Sequence, residues 1–379
     1  TVITSEEMPK TGLFDARLLQ EGASERGISI ESDIPIVAYA HIYGNTSSGA
    51  TMLLPVGTYG YEYYTLSTKQ SYSTNTYSWF YVVAAYDNTQ VEIIPSQRTL
   101  AGRPAEVPFT VTLNRGEVYQ VLGALLSENS SQGFDLSGSR VRSVQNSAGK
   151  CYPIAVFSGS SRTSINCDGG TGGNGDNIIQ QNFPSQALGK RYLTAPTSID
   201  VDPSSLMTNI YRVLVKDTAT KVTRNGQLLT NLINKRYYQF ESDSADRIEA
   251  DQPVMVAQYM ASYSGCPNTL SDGDPEMIYL SPLEQGIKKM GLYRNTEEGI
   301  VVNYLTVIIP TAGVPTLLID GTNSFDFVYQ HHNMPGYTVV VKRWDADKAQ
   351  CIVTSDSAFT AITYGEGSAE SYGYNAGTL

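Results

Sequence analysis

A short motif that recurs along the chain constrains its fold more than any single residue does. Cys151-Tyr152-Pro153-Ile154-Ala155-Val156-Phe157-Ser158-Gly159 is an apolar run that opens at a proline and ends in small polar residues. Asp33-Ile34-Pro35-Ile36-Val37-Ala38 carries the same pattern near the N-terminus, and Asp251-Gln252-Pro253-Val254-Met255-Val256 carries it again. Ser355-Asp356-Ser357-Ala358-Phe359-Thr360-Ala361 repeats it with Ala358 in the proline's place. The prolines lie 118 and 100 residues apart, and Ala358 lies 105 beyond Pro253. Proline at the head of an apolar run marks a strand start or an edge. The spacing therefore reads as three cycles of about 100 residues plus a closing strand, each cycle the size of one β-sandwich module.

The stretches between the copies support an all-β reading. Ile28-Ser29-Ile30-Glu31-Ser32 alternates as a strand does, and Gly60 to Leu66 is rich in strand-forming aromatics. The runs Trp79 to Ala85 and Val91 to Ile94 are joined by Asp87-Asn88-Thr89, which predicts a hairpin. Phe109 to Leu113 and Glu117 to Leu122, joined through Asn114-Arg115-Gly116, predict a second. Helical periodicity is almost absent. The expected organisation is a lead-in over residues 1–27 and β modules over 28–140, 141–246 and 247–379, the last with the closing strand. Three sandwich-like repeats in a compact pseudo-threefold unit fit this pattern best. A propeller-like closure, with the last copy paired beside the first cycle, is the alternative.

Composition removes several function classes. A net charge of −11, with no basic run longer than two residues, argues against nucleic acid and against an anionic membrane surface. No apolar stretch reaches the ~18–20 residues of a spanning helix, so membrane insertion is not expected. The four cysteines, Cys151, Cys167, Cys266 and Cys351, form no Cys-x-x-Cys pair, which argues against zinc and thioredoxin-like chemistry. An even number of scattered cysteines fits two disulfides in an oxidising compartment, with four free thiols in a cytosolic protein as the alternative. Cys167 and Cys266 lie 14 and 13 residues after their prolines and so hold equivalent positions. The expected bridges are Cys151–Cys167, closing one hairpin, and Cys266–Cys351, tying the third cycle's entry to its exit. Loop-closure entropy would give them about 3 and about 4.5 kcal/mol.

The chain has no His-Glu-x-x-His and no Gly-x-Ser-x-Gly. His331-His332 are neighbours that an extended chain points opposite ways, and read as solvated loop residues. Gly170-Thr171-Gly172-Gly173-Asn174-Gly175 matches a dinucleotide fingerprint only in its letters, since no helix pattern follows it; a flexible loop is the expectation. Two acidic loops hold equivalent places in their cycles, one with Asp168 and Asp176 and one with Asp272 and Asp274. Such loops can hold Ca²⁺ outside cells, although Asp and Gly are also ordinary turn formers. Ca²⁺ is the one cofactor considered. Tyr59, Tyr61 and Tyr63 alternate and would share one strand face, where amphipathic rings make binding anchors. A half-buried sheet face is the competing reading. The 37 acidic residues leave a dispersed carboxylate pair for glycoside hydrolysis open, with no spacing that favours one.

Taken together, several motifs resemble the IgGFc-binding protein N-terminal domain family. They are Ser32 to Tyr39, Val82 to Thr89, Asp135-Leu136-Ser137-Gly138-Ser139, Pro153 to Gly159, Leu188-Gly189-Lys190-Arg191-Tyr192 and the closing Glu370 to Gly377. The resemblance runs from about residue 28 to the C-terminus. It implies a secreted or bacterial cell-surface, adhesin-like protein of the kind found in large multidomain chains, some of them linked to gliding motility. It also implies a region without a known catalytic site. The expected function is a non-enzymatic extracellular module that binds a glycan or a protein. A structural spacer and a glycan-active enzyme are the alternatives.

Overall fold

The computed structural model describes residues 15–44, 47–71, 74–173, 175–199, 202–267, 274–296, 299–347 and 349–376. Among these residues the regular elements are β-strands and short 3-10 turns, and the strands pair antiparallel. The all-β expectation holds. By compactness the chain forms two units. One comprises Leu54–Ser161, Gln181–Gln186 and the segment ending at Ala38; the other comprises Tyr39–Leu53, Arg162–Gln180 and Ala187–Leu379. The limits at 28, 141 and 247 that motif spacing sets are not where these units divide.

The first unit is a two-sheet sandwich. One sheet runs Glu62–Tyr64, Arg140–Val144, Thr89–Ile94, Phe109–Leu113; the other places Ser78–Ala84 between Val118–Leu122 and Ile154–Thr163. Alternation sends Phe80, Val82 and Ala84 inward, where they meet Val91, Ile93, Val121, Val141, Ile154 and Val156 in one buried cluster. On the opposite face Trp79, Tyr81 and Phe157 stack, with ring centroids 5.4 and 4.9 Å apart. Neither predicted hairpin forms. Asp87 to Thr89 and Asn114 to Gly116 each carry the chain from one sheet to the other, so the runs they join are not partners. Both runs of each pair bury one face, and a sandwich satisfies them by placing them on opposite layers.

The second unit has two larger sheets. In one, Asn209–Val215 lies between Tyr237–Ser242 and Arg247–Met260; in the other, Ile300–Pro310 lies between Tyr337–Asp345 and Ala349–Gly367. Tyr211, Val213, Val254 and Val256 of the first share a core with Tyr304, Ile308, Val339 and Tyr364 of the second. That common core makes one unit of stretches that spacing alone would separate. The motif copies at Pro153, Pro253 and Ala358 all lie on strands that flank a central strand. The copy at Pro35 differs. Its strand begins only at Ala38, Ile34 and Val37 are exposed, and the predicted strand at 28–32 does not form.

A recurring local device ties two of the motif strands to a turn packed against them. Gly60 N–H donates to the Tyr63 hydroxyl at 2.7 Å, and that hydroxyl donates to the Ile154 carbonyl at 2.6 Å. Gly189, Tyr192 and Val254 repeat the relay at 3.1 and 2.6 Å. Both glycines are required by close packing. A Cβ on Gly60 would sit 2.4 Å from Pro184 Cβ, and one on Gly189 would sit 2.2 Å from Pro282 Cβ. In the third stretch Ile287 faces Phe359 as Gly189 faces Val254, so the glycine gives way to a side chain there. Overpacking of this kind costs about 1–3 kcal/mol. Gly60→Ala and Gly189→Ala are each predicted to lower the urea-unfolding free energy by that amount. Gly57→Ala, with open space around its Cβ, should change it little; equal effects at the three positions would contradict this packing.

Candidate functional site

The most unusual polar feature lies inside the second unit, where four short strands meet. Ser48–Leu53, Asp176–Gln181, Glu276–Tyr279 and Glu370–Asn375 are the strands that follow the four motif copies. Each of the last three opens with an acid, and all of these acids are buried, Asp176 and Glu276 completely. Asp274, two residues before Glu276, is buried with them. Cross-links between strands hold the hub. Ser48 N–H donates to both Asp176 carboxylate oxygens at 3.0 Å. Gly373 N–H donates to Glu276 Oε2 at 3.1 Å. Gln180 Nε2 donates to the Ala50 and Gly373 carbonyls, both at 2.9 Å. The Ser371 hydroxyl donates to the Asp274 carbonyl at 2.8 Å. Asp274 Oδ1 is buried without a hydrogen-bond partner.

The structure sorts the predicted site residues. Asp176 and Asp274 come together in the hub, Asp168 is exposed elsewhere in the same unit, and Asp272 lies outside the described residues. Among the described residues no group of three or more His, Cys, Asp or Glu side chains is placed to hold a metal ion. Glu276 and Glu370 were not singled out by the acidic-loop pattern. Their signal is the acid that heads the strand after a motif copy, visible only once the copies are aligned.

The disulfide pairing differs from the expected one. The bond joins Cys167 to Cys266, the two equivalent positions, while Cys151 is exposed and Cys351 buried as free thiols. The two loops that carry the equivalent cysteines meet each other. Cys167 N–H donates to the Gly265 carbonyl at 2.9 Å, and Ser262 N–H to the Ile165 carbonyl at 2.8 Å. The glycine-rich loop is part of this contact. A Cβ on Gly170 would lie 2.1 Å from the Gly265 carbonyl oxygen, and one on Gly172 would lie 2.6 Å from Gly265 Cα. The bond spans 99 residues, which loop-closure entropy values at about 4–5 kcal/mol.

The tyrosines do not form one face. Tyr63 is buried in the core of the first unit, Tyr61 is exposed and Tyr59 is half-buried. The reason is local: a 3-10 turn at Val56–Thr58 and a bend at Tyr61 leave a strand only over Glu62–Tyr64. The paired histidines also separate. His332 is exposed, whereas His331 is buried, and burial pulls its pKa down to about 4.

The all-β architecture and the internal disulfide are consistent with a β domain of an oxidising, extracellular compartment. Residues 49–365 match the family described as IgGFc binding protein, and the chain belongs to that family. No curated protein and no solved structure matches the chain. No helix among the described residues is long and apolar enough to cross a membrane.

The electrostatics of the hub follow from burial. Desolvation lifts the Asp176 carboxyl to about 7 against hydrogen bonds from Ser47, Ser48 and Asn177, and the Glu370 charge adds to the rise. Desolvation, then the charges of Asp176 and Glu370, lift Asp274 to about 8, with Arg162 opposing. Glu276 is also raised well above its ordinary value, again chiefly by desolvation. A raised carboxyl pKa means that the folded state keeps protons the unfolded chain has released. The hub's contribution is therefore full below pH ~4 and is lost as pH rises through about 7 to 8. Each pKa unit corresponds to about 1.4 kcal/mol, so the Asp176 and Asp274 carboxyls each account for on the order of a few kcal/mol. Asp274→Asn should flatten the fall in thermal stability between pH 5 and pH 8.5 relative to the unmodified chain. A fall of unchanged steepness in that variant would contradict the assignment.

Proposed function

We propose that this chain is a non-enzymatic extracellular binding module, part of a secreted or cell-surface protein, that recognises a glycan or a protein ligand. Its membership of the IgGFc binding protein family carries the reading. The internal disulfide supports an oxidising compartment, and a bacterial surface is the setting the motif resemblance favours. The buried acids of the hub are not placed as a glycosidase pair. Their carboxyls are enclosed within the strand junction, whereas a glycosidase pair must flank a sugar that reaches it.

The test is a glycan array together with biosensor binding to a mucin-coated surface and to immunoglobulin Fc, using the whole chain. Saturable binding to at least one of these is the predicted result. No binding at high micromolar concentration to any of them, from a chain whose fold is verified, would favour a spacer instead. Turnover of a bound glycan would overturn the non-enzymatic reading.

A further inference from the structure

The long motif strands carry the same irregularity twice, and only one instance is closed. In the second unit Gly189 faces Val254 while Arg191 faces Glu249, so four residues of one strand oppose one of the other. Ile287 faces Phe359 while Lys289 faces Thr354, which is the same expansion over residues 355–358. Bulges of this type re-aim side chains and recur beside binding sites. At the first, the equivalent lysine closes the gap: Lys190 Nζ donates to the Asp251 carbonyl at 2.7 Å. The backbone of Lys221 binds Asp251 from the other side, its N–H reaching Asp251 Oδ1 at 2.9 Å.

At the second bulge Lys288 and Asp356 stand in the places of Lys190 and Asp251 but are both exposed. Among the described residues neither the Lys288 ammonium nor the Asp356 carboxylate has an ion-pair or hydrogen-bond partner. Between them a groove of about 320 Å³ opens, lined also by Gly286, Ile308, Tyr337 and Ser357. This volume is at the lower end of the ~300–1,000 Å³ typical of small-ligand sites. A stable protein interface instead spreads over a surface of ~800 Å² per partner. Its wall chemistry is mixed in a specific way: a half-buried tyrosine and an aliphatic floor beside a free cation, a free carboxylate and a hydroxyl. A pyranose ring has the matching character, with C–H patches on its faces and hydroxyls around its rim. Aromatic side chains with a polar handle suit such amphipathic ligands.

We propose that this groove binds a single pyranose residue of a glycan, with Tyr337 and Ile308 against its C–H surface and Lys288, Asp356 and Ser357 on its hydroxyls. The proposal rests on the binding-module reading and supplies its site and ligand class. Gly286 keeps the groove open. Its φ of −60° is open to any residue, and a Cβ there would meet Ala358 Cβ at 3.2 Å, so Gly286→Val fills the groove without backbone strain.

Saturation-transfer NMR on the whole chain with the methyl glycosides of galactose, N-acetylglucosamine and glucuronic acid tests it. At least one glycoside should show saturation at millimolar concentration. Gly286→Val, Tyr337→Ala and Lys288→Met should each weaken it tenfold or more, and Tyr61→Ala in the first unit should not. Lys288→Met, at an exposed position, serves where a groove variant fails to fold, as judged by thermal unfolding. Absence of saturation from all three glycosides overturns the proposal, as does unchanged binding in the folded variants. If the array shows glycan binding that these variants leave intact, the groove is wrong and the module reading stands. If neither array nor biosensor shows any ligand, the module reading fails as well.

Discussion

The organisation of the second unit depends on the junction of four strands around buried carboxyls. Each strand follows one copy of the recurring motif, and each is tied to another by bonds from backbone amides or from Gln180 and Ser371. Burying a polar group is costly unless it is hydrogen-bonded. Here the amides of Ser48, Asn177, Met277 and Gly373 supply donors to Asp176 and Glu276. Desolvation nevertheless outweighs these donors, so the junction's carboxyls keep their protons to higher pH than ordinary carboxyls do. The cross-strand bonds from Ser48 to Asp176 and from Gly373 to Glu276 specify which strands meet, because another register would remove those donors.

The same logic explains why the copies are not interchangeable. Where a proline-led turn packs on a motif strand, the facing residue is a glycine, as at Gly60 under Pro184 and Gly189 under Pro282. In the third stretch the position is Ile287 and the motif proline has become Ala358. The bulge beside it keeps its geometry but loses the lysine bond that closes its counterpart. Conserved geometry with altered chemistry is where a repeated fold gains a site, since the scaffold is already stabilised by its other contacts.

Much of the fold was legible in the sequence. The alternation of Phe80, Val82 and Ala84 and the motif runs at Ile154, Val254 and Phe359 announce buried strands, and each is one. Pairing was less legible. A turn such as Asp87 to Thr89 is chemically the same whether it joins neighbours in one sheet or crosses between two, and here it crosses. Cysteine spacing misled for a related reason: Cys167 and Cys266 are far apart in sequence, and only the meeting of equivalent loops brings their Cα atoms to 4.9 Å. The site residues were half visible. Asp176 and Asp274 stood out as acids in glycine-rich loops, but Glu276 and Glu370 look like ordinary strand-end acids. Tyr63 shows the limit of periodicity, since one bend at Tyr61 sends it to the core and leaves Tyr61 in solvent.

With its strands cross-linked in this way, the carboxyl junction should be the most firmly held part of the second unit. Native-state hydrogen exchange tests this, by comparing the amides of Ser48, Asn177, Met277 and Gly373 with those of the second unit's exposed segment Gln227–Leu228. At pH 6 the junction amides should exchange only through the largest opening of the unit. At pH 9 their protection should fall beyond what faster intrinsic exchange explains. Junction amides that exchange as readily as the exposed segment at pH 6, or whose opening free energy is the same at both pH values, would contradict it.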